Sequence, residues 1–391
     1  MKLMSLFDGS GGFPLAASLC GIEPVYAAEV EPYPIAVTNN RFPKMKHLGD
    51  VSKVKGGEIE PVDIITFGSP CQDMSIAGKR AGLKHADIGD EETTRSGLFL
   101  EAIRIIKEMR EATNGGYPRY AVWENVPGAF SSNKGEDFRT VLDEFIKIVE
   151  KDAVMPDVPK AGWPYADCYS GNGWSLAYRV FDAQYWGVPQ RRRRIYLVAD
   201  FRGQRAGEIL LKPEGLRRIS AQSGTQGQET ARCAKNSVGT AIGGVDRYNQ
   251  SFLPGLAQTL RAPGGGDCTP TVLAPVGKEK TVAVPVHYIV RRLTPTECAR
   301  LRGFPDLWGY LDKKESFTDE EYKFWLEVRN TYTRINNKAV KDYTKAQMLS
   351  WYNKLHSDSA EYKMWGNGIA LPNALYVMQG IAEVVGVHHS K

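Results

Sequence analysis

The chain has no Cys-x-x-Cys pair; its six cysteines (20, 71, 168, 233, 268 and 298) are scattered through 391 residues. That spacing argues against a zinc site or a disulfide framework and fits a reducing compartment such as the cytoplasm. No apolar run approaches the roughly 18 residues that cross a membrane. The N-terminus meets Asp8 too early for a secretory leader. Charge of neither sign dominates: a net +5 permits a polyanionic partner without requiring one. With 42% hydrophobic and 24% charged residues, the composition is that of a globular, water-soluble chain long enough for two domains.

What the chain does have is a set of short apolar strands, each ending in a residue suited to chemistry. The central one is Val62 to Phe67, followed by Gly68-Ser69-Pro70-Cys71-Gln72-Asp73-Met74-Ser75. The β-branched run reads as a buried strand, and the Gly-Ser-Pro break throws a loop outward with Pro70 fixing the backbone before Cys71. A cysteine there sits where open α/β sheets place ligands. An inert buried thiol is the alternative for Cys71 taken alone.

Residues 2–7 form another short strand, ending in Phe7-Asp8-Gly9-Ser10-Gly11-Gly12 before an apolar helix at 15–19. The glycines let backbone approach a ligand at the helix start. The next strand, Val25 to Ala28, ends in Glu29, about 20 residues on, where an acid can take the ribose hydroxyls of an adenosine cofactor. A third, near His47-Leu48, ends in Asp50-Val51, placed for an adenine amine. Glu29 and Asp50 are each also compatible with solvated surface charge. Residues 75–96 read as a mobile loop that closes over substrate. Residues 97–110 and 138–149 read as amphipathic helices. The strand Tyr120 to Trp123 delivers Glu124-Asn125-Val126-Pro127-Gly128. Residues 155–173, with three prolines, read as loop. Strands at 176–181 and 195–199 bracket Gln190 and the run Arg191 to Arg194. Alternating strands and helices predict a doubly wound α/β sheet.

After Asp200 the character changes. Residues 203–280 are rich in Gly and Ser, and 200–290 hold 11 Lys and Arg against 7 Asp and Glu. A small irregular domain of short strands lying along a phosphate backbone fits that composition; a disordered insert is the alternative. Thr294, Pro295 and Glu297 then give a helix-start signal. Helical stretches are predicted near 320–328 and 346–355, and Gly366-Asn367-Gly368 leads into a last helix at 372–385.

Together these pieces resemble the cytosine carbon-5 DNA methyltransferase family of bacteria and phages, along almost the whole chain. Phe7 to Gly12 resembles its cofactor motif, Pro70-Cys71-Gln72 its nucleophile motif and Glu124-Asn125-Val126 its Glu-Asn-Val motif. Gln190 to Arg194 resembles its Gln-x-Arg-x-Arg motif, Arg291 to Pro305 its ninth motif and Gly366-Asn367 its tenth. Ser5 stands where the family has an acid, and Val30 where a bulkier side chain packs on adenine. The interval 306–364 is longer than the family's usual gap.

The resemblance implies a Rossmann-like catalytic domain (1–199 plus 365–391) and a smaller, irregular target-recognition domain (200–364) with a helical insert at about 306–364. It implies a DNA cytosine-5 methyltransferase that uses S-adenosyl-L-methionine and no metal. Cys71 would be the nucleophile at carbon 6, Glu124 would bond ring nitrogen 3, Arg194 the base carbonyl, and Arg192 would steer base or phosphate. Phe7, Gly9, Gly11, Gly12, Glu29, Val30, Asp50, Val51, Pro70 and Asn367 would hold the cofactor, and Gln72, Ser75 and Arg192 would touch nucleic acid. The expected partner is double-stranded DNA with the target nucleotide flipped out, bound by a cytoplasmic monomer, with room for a cognate restriction endonuclease. A transfer-RNA branch of the family usually carries a Cys-Phe-Thr signature, absent here, and amino-group methyltransferases an Asp/Asn/Ser-Pro-Pro-Tyr/Phe motif, also absent.

Overall fold

A computed structural model describes residues 1–69, 97–155, 157–211 and 291–386, with the backbone of short strands at 243–246, 251–254, 271–276 and 287–290. Eight strands form the main sheet: β1 (Lys2–Leu6), β2 (Glu23–Ala28), β3 (Lys46–His47), β4 (Ile64–Phe67), β5 (Tyr120–Asn125), β6 (Ala166–Gly171), β7 (Trp174–Asp182) and β8 (Arg193–Asp200). Their order is β3-β2-β1-β4-β5-β8-β7-β6. The first five run parallel, and β8, β7 and β6 continue antiparallel.

Side chains alternate across the central strands, and each face is covered. Leu3, Ile64, Tyr120 and Val122 point to one core, with α1 (Gly12–Leu19), α2 (Pro32–Arg41), α5 (Ala206–Leu210) and α6 (Pro295–Leu301). The same core holds α7 (Asp319–Ile335), α8 (Lys345–Tyr352), α9 (Asp358–Asn367) and α10 (Leu371–Val385). Met4, Ile65, Phe67, Ala121 and Trp123 point to the other, against α3 (Leu98–Ala112) and α4 (Glu136–Ile146). This is the doubly wound arrangement. Every residue of β4 and β5 is buried, as strands covered on both faces must be.

The register matters most for function. Leu6 pairs with Ala28 on one side and Phe67 on the other, and Phe67 pairs with Trp123. The next residues along these strands, Phe7, Glu29, Gly68 and Glu124, therefore lie together at the carboxyl edge, where the strand order reverses.

One local expectation changes, and two features go beyond the sequence reading. Residues 155–173 are not loop throughout, because Ala166–Gly171 forms β6, an edge strand with alternate residues exposed. The parallel pattern also stops at β5, because 174–200 folds as a hairpin whose return strand pairs with β5 directly. Between β2 and β3 the chain makes α2; its prolines fall in the first turn, where no intrahelical N–H is needed. The helices expected at 320–328 and 346–355 are α7 and α8, both started by capping boxes (Thr318 with Glu321, Thr344 with Gln347). Trp308, Phe317, Trp325, Met348 and Tyr352 share a core with Phe13, Ala16 and Ile35. Strands β9 (Gly243–Asp246), β10 (Ser251–Pro254), β11 (Thr271–Val276) and β12 (His287–Arg292) make a separate antiparallel sheet, ordered β10-β9-β11-β12.

Candidate active site

The turn after β1 is built from left-handed residues: Phe7 at φ 55°, Gly9 at 55° and Gly11 at 76°, the last forming the start of α1. Glycine is needed at Gly11, where a Cβ would lie 2.8 Å from Thr38 Cγ2, and at Gly12, where it would lie 2.5 Å from Ile369 Cγ1. Glu29 closes the turn from β2. Its carboxylate accepts from the backbone N–H of Gly9 (2.8 Å), Val30 (2.7 Å) and Glu31 (2.9 Å). Burial pushes its pKa up and these three donors pull it down. Val30 beside it is half-buried. At the end of β3, Asp50 accepts from Ser52 N–H at 2.9 Å and starts a 3-10 turn in which Val51 is buried. The predicted cofactor residues of 7–51 thus share one edge of the sheet.

Asp8, which sequence reasoning passed over, lies within this turn. Its carboxyl is buried, and neither oxygen has a hydrogen-bond partner among the described residues. Burial pushes it up to about 8, with the Ser5 side chain pulling down and Glu29 adding upward. An orphaned, buried acid beside glycine backbone is a fitting counterpart for a cationic ligand. Without ligand, the folded protein holds this proton more tightly than the unfolded chain. The stability that this group contributes should therefore be full below about pH 4 and decline as pH rises towards 8. Asp8→Asn is expected to match wild type in melting temperature near pH 4 and to exceed it increasingly as pH rises to 8, both without ligand. An offset that does not change with pH would refute the assignment.

On the other side of β4, Glu124 is the penultimate residue of β5, with only 8% of its surface exposed. A Cβ on Gly68 would stand 3.2 Å from its Oε2, so that glycine gives the carboxylate its clearance. Arg194 Nε lies 3.1 Å from Glu124 Oε1. Trp123 Nε1 donates to Ser69 Oγ (3.2 Å), and Asn125 Nδ2 to the Ser69 carbonyl (3.1 Å). Pro70, Cys71, Gln72 and Ser75 lie outside the described residues, as does the loop expected at 75–96. Tyr196, opposite Glu124 in the ladder, is fully buried with its hydroxyl unpartnered among the described residues.

The arginine run divides by strand alternation: Arg192 is buried, Arg194 half-buried, and Arg191 and Arg193 exposed. Arg192 donates to the Gly368 carbonyl at 2.7 Å, and a Cβ on Gly368 would lie 2.9 Å from Ser10 Oγ. Exposed Asn367 is thereby held between Gly366 and Gly368, beside the turn at 7–12. Arg302, also missed from sequence, is fully buried and donates to the carbonyls of Trp365 (2.7 Å) and Gly366 (3.0 Å) and to Gln190 Oε1 (3.2 Å). Burial and the neighbouring Arg192 and Arg194 push its pKa well down. Arg302→Met would relieve that repulsion but leave three acceptors without this donor, at about 1–3 kcal/mol each. A net loss of about 3 kcal/mol is expected, seen as a melting temperature several degrees lower and not rescued by Arg302→Lys. An unchanged or higher melting temperature would mean that repulsion is the larger effect.

Among the described residues no group of three or more His, Cys, Asp or Glu could hold a metal, and no single helix is long and apolar enough to cross a membrane.

Known proteins give this geometry a family. The profile described as C-5 cytosine-specific DNA methylase matches residues 1–149. Type II methyltransferase M.HhaI of Haemophilus parahaemolyticus is 28% identical over 343 residues, covering 83% of this chain and 88% of its own. A protein of Escherichia phage P1 named DNA N-6-adenine-methyltransferase is 26% identical over 97% of this chain, which spans 61% of the phage protein. The crystal structure of S. pombe Dnmt2 methyltransferase has the same fold, with a TM-score of 0.56 at 15% identity over 98% of this chain and 99% of that one. Residues 1–149 thus carry the match to the C-5 cytosine-specific DNA methylase family, and the type II methyltransferases are similar to the chain well beyond that domain.

Proposed function

We propose that this protein flips a cytosine out of duplex DNA and methylates carbon 5 through a transient bond between Cys71 and carbon 6. The observation that carries the reading is the meeting of Glu124, Arg194 and Gly68-Ser69 at the end of β5, with Asn125 fixing the backbone two residues before Cys71. S-adenosyl-L-methionine, when bound, supplies an electrophilic methyl group. The left-handed glycine turn, orphaned Asp8, Glu29 and Asp50 suit a cationic adenosine ligand, with Glu29 keeping acceptor capacity beyond its three backbone donors.

Carbon 5 of cytosine is a weak nucleophile. The Cys71 thiolate adds to carbon 6, and the electrons of the ring double bond move to carbon 5. Glu124 donates a proton or hydrogen bond to ring nitrogen 3, so that charge does not collect on the ring. Arg194 bonds the base carbonyl while keeping the Glu124 carboxyl in place. Carbon 5 takes the methyl group; a base then removes the hydrogen it still carries. The electrons left behind rebuild the double bond and expel the Cys71 sulfur. Flipping is required because carbon 5 and carbon 6 are shielded in the duplex stack.

The sheet β9–β12 is the part we assign to target reading, entered after Leu211 and left at Arg292. The adenine activity in the phage P1 relative's name is not carried over, because the Pro-Pro motif of that chemistry is absent here and Glu124 suits ring nitrogen 3. The test is incubation of the purified protein with tritiated S-adenosyl-L-methionine and either unmethylated genomic DNA or total RNA, followed by bisulfite sequencing of the DNA. Label in DNA at discrete cytosines is expected. Label in RNA alone, or in DNA at adenine, would overturn the reading.

A further inference from the structure

The interval 306–364, longer than the family's pattern, contributes a wall to the cofactor turn. Trp308 Nε1 donates to the Ser10 carbonyl at 2.8 Å, a buried bond spanning 298 residues of sequence. The same indole lies 3.7 Å from where a Cβ on Gly11 would be, and it meets Phe42 edge-on with ring centroids 5.9 Å apart. Arg41, at the end of α2, places its guanidinium 5.5 Å from the Trp308 ring and donates from Nε to the Trp308 carbonyl at 3.0 Å. Tyr33, at the start of α2, donates to the Gly309 carbonyl at 2.6 Å and stacks on His356. Lys363 pairs with Glu31 at 2.7 Å, next to the backbone that binds Glu29.

The turn needs such support. Phe7, Gly9 and Gly11 all sit at positive φ, and a non-glycine residue there is strained unless its surroundings over-determine it. Within the turn itself the backbone bond is Gly11 N–H to Asp8 carbonyl, at 3.1 Å. On one flank Gly368, Ile369 and Phe304 approach Ser10 and Gly12; on the other stands Trp308.

We propose that Trp308, presented by the 306–364 segment and clamped by Arg41, is a positioning residue that holds the Asp8–Gly12 turn in its ligand-binding shape. This rests on the reading that the turn binds S-adenosyl-L-methionine. The ring fills the space outside Gly11 while its N–H fixes the Ser10 carbonyl, so the turn's conformation is set before ligand arrives. Trp308→Phe keeps an aromatic ring at the position and removes the N–H together with the second ring of the indole. Arg41→Met removes the clamp from outside the turn.

The test is titration calorimetry of S-adenosylhomocysteine into wild type, Trp308→Phe, Arg41→Met and a control, Phe317→Leu, which alters the same segment away from the turn. Melting temperatures are recorded alongside. Trp308→Phe is expected to weaken binding about five-fold, the size of one lost hydrogen bond, and Arg41→Met somewhat less. In turnover, KM for the cofactor should rise while kcat at saturation stays within two-fold. Phe317→Leu should lower the melting temperature without changing affinity. Wild type that does not bind S-adenosylhomocysteine would sink the cofactor reading itself. Wild type that binds, with Trp308→Phe and Arg41→Met binding equally well, would sink the positioning role alone. Affinity that tracks melting temperature across all three variants would reduce Trp308 to a general structural part.

Discussion

The Cys71→Ser protein is expected to transfer no detectable methyl group, a loss on the order of 10⁴-fold or more, as for other enzymes deprived of their nucleophile. The argument is one of ionisation and polarisability. A thiol near its ordinary pKa is partly thiolate at neutral pH, and the thiolate adds readily to a conjugated ring. A serine hydroxyl stays protonated and makes a poor leaving group in the final elimination. Binding should survive, because the Phe7–Gly12 turn, Glu29 and Asp50 follow β1, β2 and β3, whereas Cys71 follows β4. Counting tritium in DNA after incubation, with S-adenosylhomocysteine affinity measured on the same preparation, separates lost chemistry from lost binding. Residual transfer within ten-fold of wild type would exclude Cys71 as the covalent nucleophile.

Glu124→Gln is expected to lower kcat by about 10²–10⁴-fold, the usual size of a lost general acid or hydrogen-bond donor to the reacting ring. The substitution keeps the side chain's shape but removes the proton to be given to ring nitrogen 3. It also leaves Arg194 without the carboxylate 3.1 Å away, in a site where both side chains are largely shielded from water. Buried charges are costly when a partner is lost, so a modest drop in melting temperature should accompany the kinetic effect. The two consequences are separable: cofactor affinity should change less than two-fold while kcat collapses. A variant with kcat near wild type would mean that the ring is activated without Glu124, leaving that carboxyl as a brace for Arg194.

Much of this arrangement is legible in the sequence, for a physical reason. Strands buried on both faces appear as mostly apolar runs, as in Ile64 to Phe67 and Tyr120 to Trp123, and the residue that follows each run marks the carboxyl edge of the sheet, where open α/β sheets place ligands. The helix over Leu98 to Ala112 is equally visible, because Ala102, Ile105, Ile106 and Met109 recur on one face and are buried there. The amphipathic edge strand β6 was hidden by its mixed polar composition and by the prolines before it. Asp8, Trp308 and Arg302 were hidden differently. Nothing local distinguishes a buried acid from a surface one, or a packed tryptophan from one that braces a turn; each role depends on partners far along the chain. Arg302 lies 112 residues from Gln190 and 63 from Trp365.

The packing of α10 on α1 has a consequence for the order of folding. Leu371–Val385 covers the helix that begins at Gly12, and Gly368 and Trp308 brace the turn before it. The contacts that complete the Phe7–Gly12 turn therefore come from residues about 300 to 360 positions further along the chain. Until they form, the apolar face of α1 stays uncovered, and contacts this distant in sequence form slowly. Apolar surface left uncovered in that interval is the kind that drives association between incompletely folded chains.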